Sequence, residues 1–436
     1  MSTDPEPADA PAELERSKPP FLRRVRIRGY KSIAFCDVTL EPLTILVGRN
    51  ASGKSNFLDA LAFLRDVVVK GVRQAVKDHG GADAVLCKWS EEPRISIEIE
   101  ATYHPQNEPN LWKASYEVEI DLSKHSPPRI VREQLQQGSV DNPILRVTYT
   151  VDSGDVSWGG AWGEILDKDW RKLRDLNQKV TSIDFDRVFL NMYGFTPFLE
   201  LRERIASVRT YNFNPEVIRL PQKPDPGWFL ERDGSNLASV IETTREIEDW
   251  EIHRAGQYLS VITGSVEFAG VMPVGGHETL RFRVVGDEKS PPLEFDASSM
   301  SDGTLRTLAA LVAVFQMAPP HGSPSLVAIE EPETALHPAA MNALVDALDE
   351  GTFRTQVLLT THSAEMLDNR TIQPKNVRVV QLIDGRTVIG PVDEVDVEIV
   401  RRKLNTLGGL ERENRLEPDL DDQDRQRIQA AQEARG

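Results

Sequence analysis

The sequence predicts an α/β fold of mixed and parallel sheet flanked by helices, carrying an antiparallel β lobe and a mainly helical insertion. Three observations predict it. The apolar run Leu43-Thr44-Ile45-Leu46-Val47 ends on a glycine-rich turn, Gly48-Arg49-Asn50-Ala51-Ser52-Gly53-Lys54-Ser55, and Phe57, Leu61, Leu64 and Val68 follow at helical spacing. Two further apolar runs, Ser325-Leu326-Val327-Ala328-Ile329 and Val357-Leu358-Leu359, read as buried parallel strands ending on polar residues. Between the glycine turn and these runs, residues 94–158 alternate apolar and polar side chains and are broken by Pro, Asn, Ser and Gly turns, as in an antiparallel sheet.

Taken in order, residues 1–20 are rich in Pro, Ala and acids and are expected as a disordered tail. The first part of the core spans 21–90: Leu22 to Arg28 alternates like a strand, and Val38-Thr39-Leu40 and Leu43 to Val47 read as two short ones. The β lobe is placed at 91–160 and the helical insertion at 161–264, broken by the loop from Pro221 to Gly227 and without the sustained heptads of a coiled coil. Strand-like segments from Ser265 to Phe268 and from Leu280 to Val285 open the second part of the core, 265–395. There a helix, a strand, a helix and a strand follow in turn. The charged, apolar-poor remainder, 396–436, is expected as a solvated helix or tail.

Composition excludes several classes. The 436 residues, 40% hydrophobic and 27% charged, can bury a substantial core, and the length prior allows about two to three domains. Cys36 and Cys87 alone supply neither a disulfide framework nor a four-ligand zinc site, and they suit a reducing cytosol. No run reaches the ~18 apolar residues of a membrane span, so a cytoplasmic protein is expected. A net charge of -17 opposes whole-surface attraction to nucleic acid and leaves only a local patch, Arg23, Arg24, Arg26, Arg28 and Lys31, for DNA.

The glycine turn has the Walker A form. Its glycines let backbone N–H groups converge on one phosphate, Lys54 reaches the outer phosphates, Ser55 ligates Mg²⁺, and the helix that begins beside Asn56 presents its positive end. Glu330-Glu331-Pro332-Glu333 lies at the C-terminal end of its strand, where ligands bind in open sheets. Glu330 can hold the Mg²⁺ shell while Glu331 polarises the attacking water. His362, at the end of the next strand, can donate to the γ-phosphate or to that water, with Ser363 capping the following helix. Ser301-Asp302-Gly303 precedes an apolar helix: Ser301 or Asp302 caps it, and Gly303 permits close approach to an anion.

Walker A, Ser-x-Gly signature, acid pair and histidine, in that order, resemble the head of an ABC-type P-loop NTPase. Glu330-Glu331-Pro332-Glu333-Thr334-Ala335-Leu336-His337-Pro338, Thr360-Thr361-His362-Ser363, Ile27-Arg28-Gly29-Tyr30-Lys31-Ser32-Ile33 and Gly234-Ser235-Asn236-Leu237-Ala238 resemble the SMC, RecF and OLD branch of bacterial ATPases. The resemblance implies a homodimer with ATP sandwiched between two heads, Ser301 and Gly303 of one touching the γ-phosphate held by Lys54 of the other. It implies catalysis by Glu331, His362 and Lys54, with Ala335 to His337 as the D-loop. Glu330 stands where an Asp is usual, one methylene longer, so its Mg²⁺ contact is expected through water. No Q-loop glutamine can be placed, since Gln74 falls within the helical pattern too early.

The roughly two hundred residues between the phosphate-loop helix and the signature exceed the compact lobe of a transporter subunit. No Asn-Lys-x-Asp reads guanine, and Asp419-Leu420-Asp421-Asp422 is too little for a TOPRIM nuclease. Two outputs remain: a regulatory platform for a separately encoded effector or nuclease in antiphage defence, or a DNA-engaged ATPase in repair.

Overall fold

The computed structural model describes residues 21–90, 92–104, 110–124, 126–140, 146–152, 155–159, 186–191, 196–226, 228–284, 292–318 and 322–420. The expected N-terminal tail, much of the expected insertion and residues 421–436 lie outside them.

Strands β1 (Leu22–Tyr30) and β2 (Ile33–Thr39) form a hairpin across Lys31, whose left-handed φ of 49° makes the turn. The strand expected at Val38 to Leu40 is the end of this longer β2. β3 (Leu43–Val47) leaves the hairpin for a second sheet. β4 (Arg94–Tyr103), β5 (Trp112–Asp121), β6 (Arg129–Ser139), β7 (Arg146–Asp152) and β8 (Asp155–Gly159) return to the first, a seven-stranded antiparallel sheet ordered β2-β1-β4-β5-β6-β7-β8. The alternating segments beyond Arg94 therefore continue the N-terminal hairpin. Val25 pairs with Ile99 and Ile27 with Ile97, so both strands turn the same apolar face to one core.

β9 (Val208–Tyr211) lies within the span expected to be helical, yet it pairs in parallel with a core strand. Four residues are too short a run to register as a strand beside the Thr196–Ala206 helix. β10 (Val266–Val274), β11 (His277–Val284) and β12 (Leu293–Asp296) make a small antiparallel sheet leading to the signature. β13 (Leu326–Glu330), β14 (Gln356–Thr361), β15 (Val377–Ile383) and β16 (Arg386–Pro391) complete the six-stranded central sheet, ordered β16-β15-β3-β14-β13-β9. All its pairs are parallel except β15 with β16.

The central sheet separates two cores. Leu46, Leu326, Ala328 and Leu358 face the seven-stranded sheet and the Lys54–Lys70 helix. Ile45, Val47, Val327, Ile329, Val357 and Leu359 face the Leu237–Thr263, Asp302–Phe315 and Met341–Gly351 helices. Burial on both faces explains the unbroken apolar runs read from the sequence. The long Leu237–Thr263 helix is kinked at Glu248 (φ -145°, ψ 88°). Beyond β16, within the span expected as a charged tail, Leu407, Leu410 and Leu416 are buried, and the Gly408 N–H donates to Asp368 Oδ1 at 3.1 Å.

Candidate nucleotide site

β3, β14, β13 and β9 run parallel and end at one edge of the central sheet. Val47 is level with Thr361, Thr360 with Glu330, and Ile329 with Tyr211. The glycine loop, His362, the acid pair and Asn212 consequently emerge side by side, at the carboxyl edge where open α/β sheets take ligands.

The loop's glycines are required by its neighbours. A Cβ on Gly48 would stand 2.0 Å from the Val380 carbonyl oxygen, and one on Gly53 would stand 1.9 Å from Thr387 Oγ1. Gly53, at φ 106°, begins the Lys54–Lys70 helix. Arg49, Asn50 and Ala51 form the exposed outside of the loop, Ala51 at φ 61°. Thr387 on β16 donates to the buried Ser52 carbonyl at 2.9 Å, Ser32 shares a 2.6 Å hydrogen bond with Thr387, and Asn56 Nδ2 donates to Ser32 Oγ at 2.6 Å. Sequence reasoning found Ser32 only within a quoted motif and missed Thr387, because 335 residues separate it from Ser52. Lys54 is 6% exposed, and its ammonium donates to the carbonyls of Gly48 at 2.5 Å and Arg49 at 3.1 Å. Burial lowers its pKa, against the opposing pull of Glu331, Glu411 and Glu333.

Ser55 Oγ donates to Glu330 Oε2 at 2.6 Å, joining the loop to β13. The other oxygen, Oε1, lies 3.2 Å from the Arg232 guanidinium. Among the described residues no cluster of three or more His, Cys, Asp or Glu could hold a metal alone. A hydroxyl beside a single carboxylate fits Mg²⁺, a hard cation that usually takes one or two protein oxygens and completes its shell with phosphate and water.

Glu331 adopts φ 43°, a left-handed conformation unusual for a side chain of its size, held by N–H donation to the Thr360 carbonyl at 3.1 Å. Its Oε1 lies 3.4 Å from His362 Nδ1, and the imidazole is half exposed. Behind this pair Glu333 is 6% exposed. Its Oε1 accepts from Thr361 Oγ1 at 2.5 Å, and its Oε2 is buried without a partner. Burial raises the Glu333 pKa, offset in part by that hydroxyl.

Of the two expected caps, Ser301 caps the Asp302–Phe315 helix, its Oγ accepting from the Thr304 N–H at 3.2 Å. Asp302 is exposed and pairs with Arg219 at 2.6 Å. Gly303 packs against the segment expected as D-loop, where a Cβ would meet the Ala335 carbonyl oxygen at 2.4 Å. Ala335 is left-handed at φ 70°, and His337 Nδ1 accepts from the Ala339 N–H at 3.2 Å.

Gln74 lies in the Val72–Asp78 helix and donates to Asp78. Beside the acid pair, the sheet edge carries Asn212, exposed at the end of β9. The basic run is largely neutralised: Arg24 and Arg26 pair with Asp37, Glu98 and Glu100, Lys31 pairs with Asp59 at 2.5 Å, and Arg28 lies over the Phe35 ring at 4.6 Å. Arg23 and Arg28 are exposed and carry no ion pair among the described residues, so the patch expected for DNA is ion-paired at three of its five cations. No helix among the described residues is long and apolar enough to cross a membrane.

No curated protein matches the sequence. Among solved structures, an SMC head bound to the C-winged helix domain of ScpA is similar at 12% identity and a TM-score of 0.42, covering 86% of this chain and 99% of that one. The SMC head domain from Thermotoga maritima is similar at 13% identity and a TM-score of 0.39, covering 86% and 99%. An SMC head with an extended coiled coil, bound to the C-terminal domain of ScpA derived from Pyrococcus furiosus, is similar at 12% and 0.40, covering 88% and 99%. A family described as "AAA domain, putative AbiEii toxin, Type IV TA system" matches residues 43–119 and 218–368, the stretches that hold the glycine loop, signature, acid pair and histidine. With more than half of its length matched, the chain, a mixed α/β fold around a six-stranded central sheet, belongs to that AAA domain family.

Proposed function

We propose that the chain binds ATP at Gly48 to Asn56 and hydrolyses it with Mg²⁺, as half of a composite site closed by a second copy. The observation that carries the reading is the convergence on one sheet edge of the glycine cradle, the Ser55–Glu330 contact and the Glu331–His362 pair. Mg²⁺ at Ser55 and Glu330 would neutralise charge on the outer phosphates. The chain's own residues do the rest. Lys54 leaves the loop carbonyls to meet the phosphate oxygens, Glu331 takes the proton of the attacking water, and His362 orients that water and the γ-phosphate.

The exposure of Ser301 and Asp302 at a capped helix start supports the dimer, because those N–H groups are open to a phosphate carried by another copy. ATP then acts as a switch for assembly. Its output is a regulatory platform for a separately encoded effector in antiphage defence, a reading supported by the resemblance and by a family described through toxin–antitoxin systems. The ion pairs of Arg24, Arg26 and Lys31 reduce the free positive charge that favoured DNA.

Titration with a fluorescent ATP analogue, wild type beside Lys54→Ala, tests the site. Saturable Mg²⁺-dependent binding, lost in the variant, is expected. Equal binding by both would refute the assignment.

A further inference from the structure

Arg232 has no part in the reading above, yet its guanidinium occupies the metal edge of the site. Glu330 has two oxygens: one takes the Ser55 hydroxyl at 2.6 Å and the other takes Arg232 at 3.2 Å. Glu330 is only 16% exposed, whereas Arg232 is 57% exposed, so the arginine reaches in from the rim. The site carries further carboxylates, Glu331, Glu333 and Glu411, each of which pulls on Lys54. A carboxylate this enclosed needs a cation, and Arg232 is the one that touches it.

The backbone that carries Arg232 is clamped. Its carbonyl accepts from the Asn212 N–H at 2.9 Å, the Asp233 carbonyl from Asn214 N–H at 3.0 Å, and the Gly234 carbonyl from the buried Gln222 amide at 3.2 Å. Gly234 turns at φ 84°, where a Cβ would stand 2.9 Å from Ile218. The Glu231 N–H donates to Asn236 Oδ1 at 2.8 Å, fixing the other flank. The loop is therefore pinned to the end of β9, and only the long exposed side chain is free to swing.

We propose that Arg232 is a metal-competing residue of the nucleotide site, holding Glu330 in the metal-free state and yielding it when Mg²⁺ enters with the nucleotide. The idea rests on the Mg²⁺–ATP reading proposed above. Its consequence is that Mg²⁺ must displace a guanidinium before both oxygens of Glu330 are available. A divalent ion wins on charge, but at a higher concentration than an unopposed carboxylate would need.

The test is the Mg²⁺ concentration giving half-maximal binding of a fluorescent ATP analogue, measured for wild type, Arg232→Ala and Arg232→Lys, with circular dichroism to verify folding. Arg232→Ala is expected to lower the half-saturating Mg²⁺ by about two- to fivefold, the range an exposed ion pair commands. Arg232→Lys, which keeps the cation, is expected near the wild type. Wild-type binding with the same Mg²⁺ dependence in Arg232→Ala overturns the proposal alone. No Mg²⁺-dependent binding by the wild type overturns the underlying reading as well.

Discussion

Replacing Gly303 with alanine adds one methyl where the Asp302–Phe315 helix meets the turn at Ala335. The new Cβ would stand 2.4 Å from the Ala335 carbonyl oxygen, 1.0 Å inside the 3.4 Å at which ordinary contact begins. Neither side yields cheaply. Gly303 is the second residue of a helix whose apolar side chains, from Leu305 to Phe315, are buried, and Ala335 is already left-handed at φ 70°. The obstacle is backbone, so no side-chain rotation relieves it, and overpacking of this kind costs about 1–3 kcal/mol. The same substitution at Gly256 supplies the control: that glycine lies inside the Leu237–Thr263 helix, and the closest atom to its Cβ is Phe268 Cβ at 4.0 Å. There alanine is expected to be neutral or to stabilise by up to about 1 kcal/mol. Urea unfolding and steady-state ATP hydrolysis of both variants make the comparison. Gly303→Ala is expected to lower the unfolding midpoint and the turnover together, with Gly256→Ala unchanged in turnover. A Gly303→Ala protein as stable and active as wild type would refute the close packing of Gly303 on Ala335.

Two further expectations follow from buried polar contacts. His79 is buried, which lowers its pKa, but hydrogen bonds to Asp59 and Asp66 at 3.1 and 3.3 Å outweigh burial and raise it. A raised folded-state pKa contributes stability that is complete below the unfolded value, about 6.5, and is lost as pH rises through the folded value. Melting temperatures of wild type and His79→Gln should accordingly differ most below about pH 6.5 and converge as the pH rises through the folded-state value; a constant gap would contradict the ion-paired histidine. Thr361→Val removes the hydroxyl donor to buried Glu333 and should destabilise by about 1–3 kcal/mol in urea unfolding. Combining it with Glu333→Gln should reveal coupling, whereas strict additivity would argue against the contact.

Much of the fold was legible because burial on both faces writes continuous apolar runs, as in Leu43 to Val47 and Val357 to Leu359, and because glycines mark the loop. What escaped was set by long-range pairing. Nothing local announces that β4 lies beside β1, that the short Val208–Tyr211 run is a core strand, or that Thr387 pins the glycine loop. Arg232 escaped for the same reason, since it sits in a loop and its partner Glu330 lies 98 residues away at the end of β13. The pairing of Arg24 and Arg26 was hidden as well, because their acids, Asp37, Glu98 and Glu100, sit on neighbouring strands and meet them only in the folded sheet.

The central claim is a composite ATP site completed by a second copy, with Glu331 as its base. Glu331→Gln keeps the size of the side chain beside His362 and removes its ability to take a proton. Sedimentation with Mg²⁺ and ATP, paired with phosphate release on the same sample, should find an ATP-dependent dimer with little turnover. A Glu331→Gln protein that stays monomeric and hydrolyses ATP at the wild-type rate would contradict both the base and the sandwich.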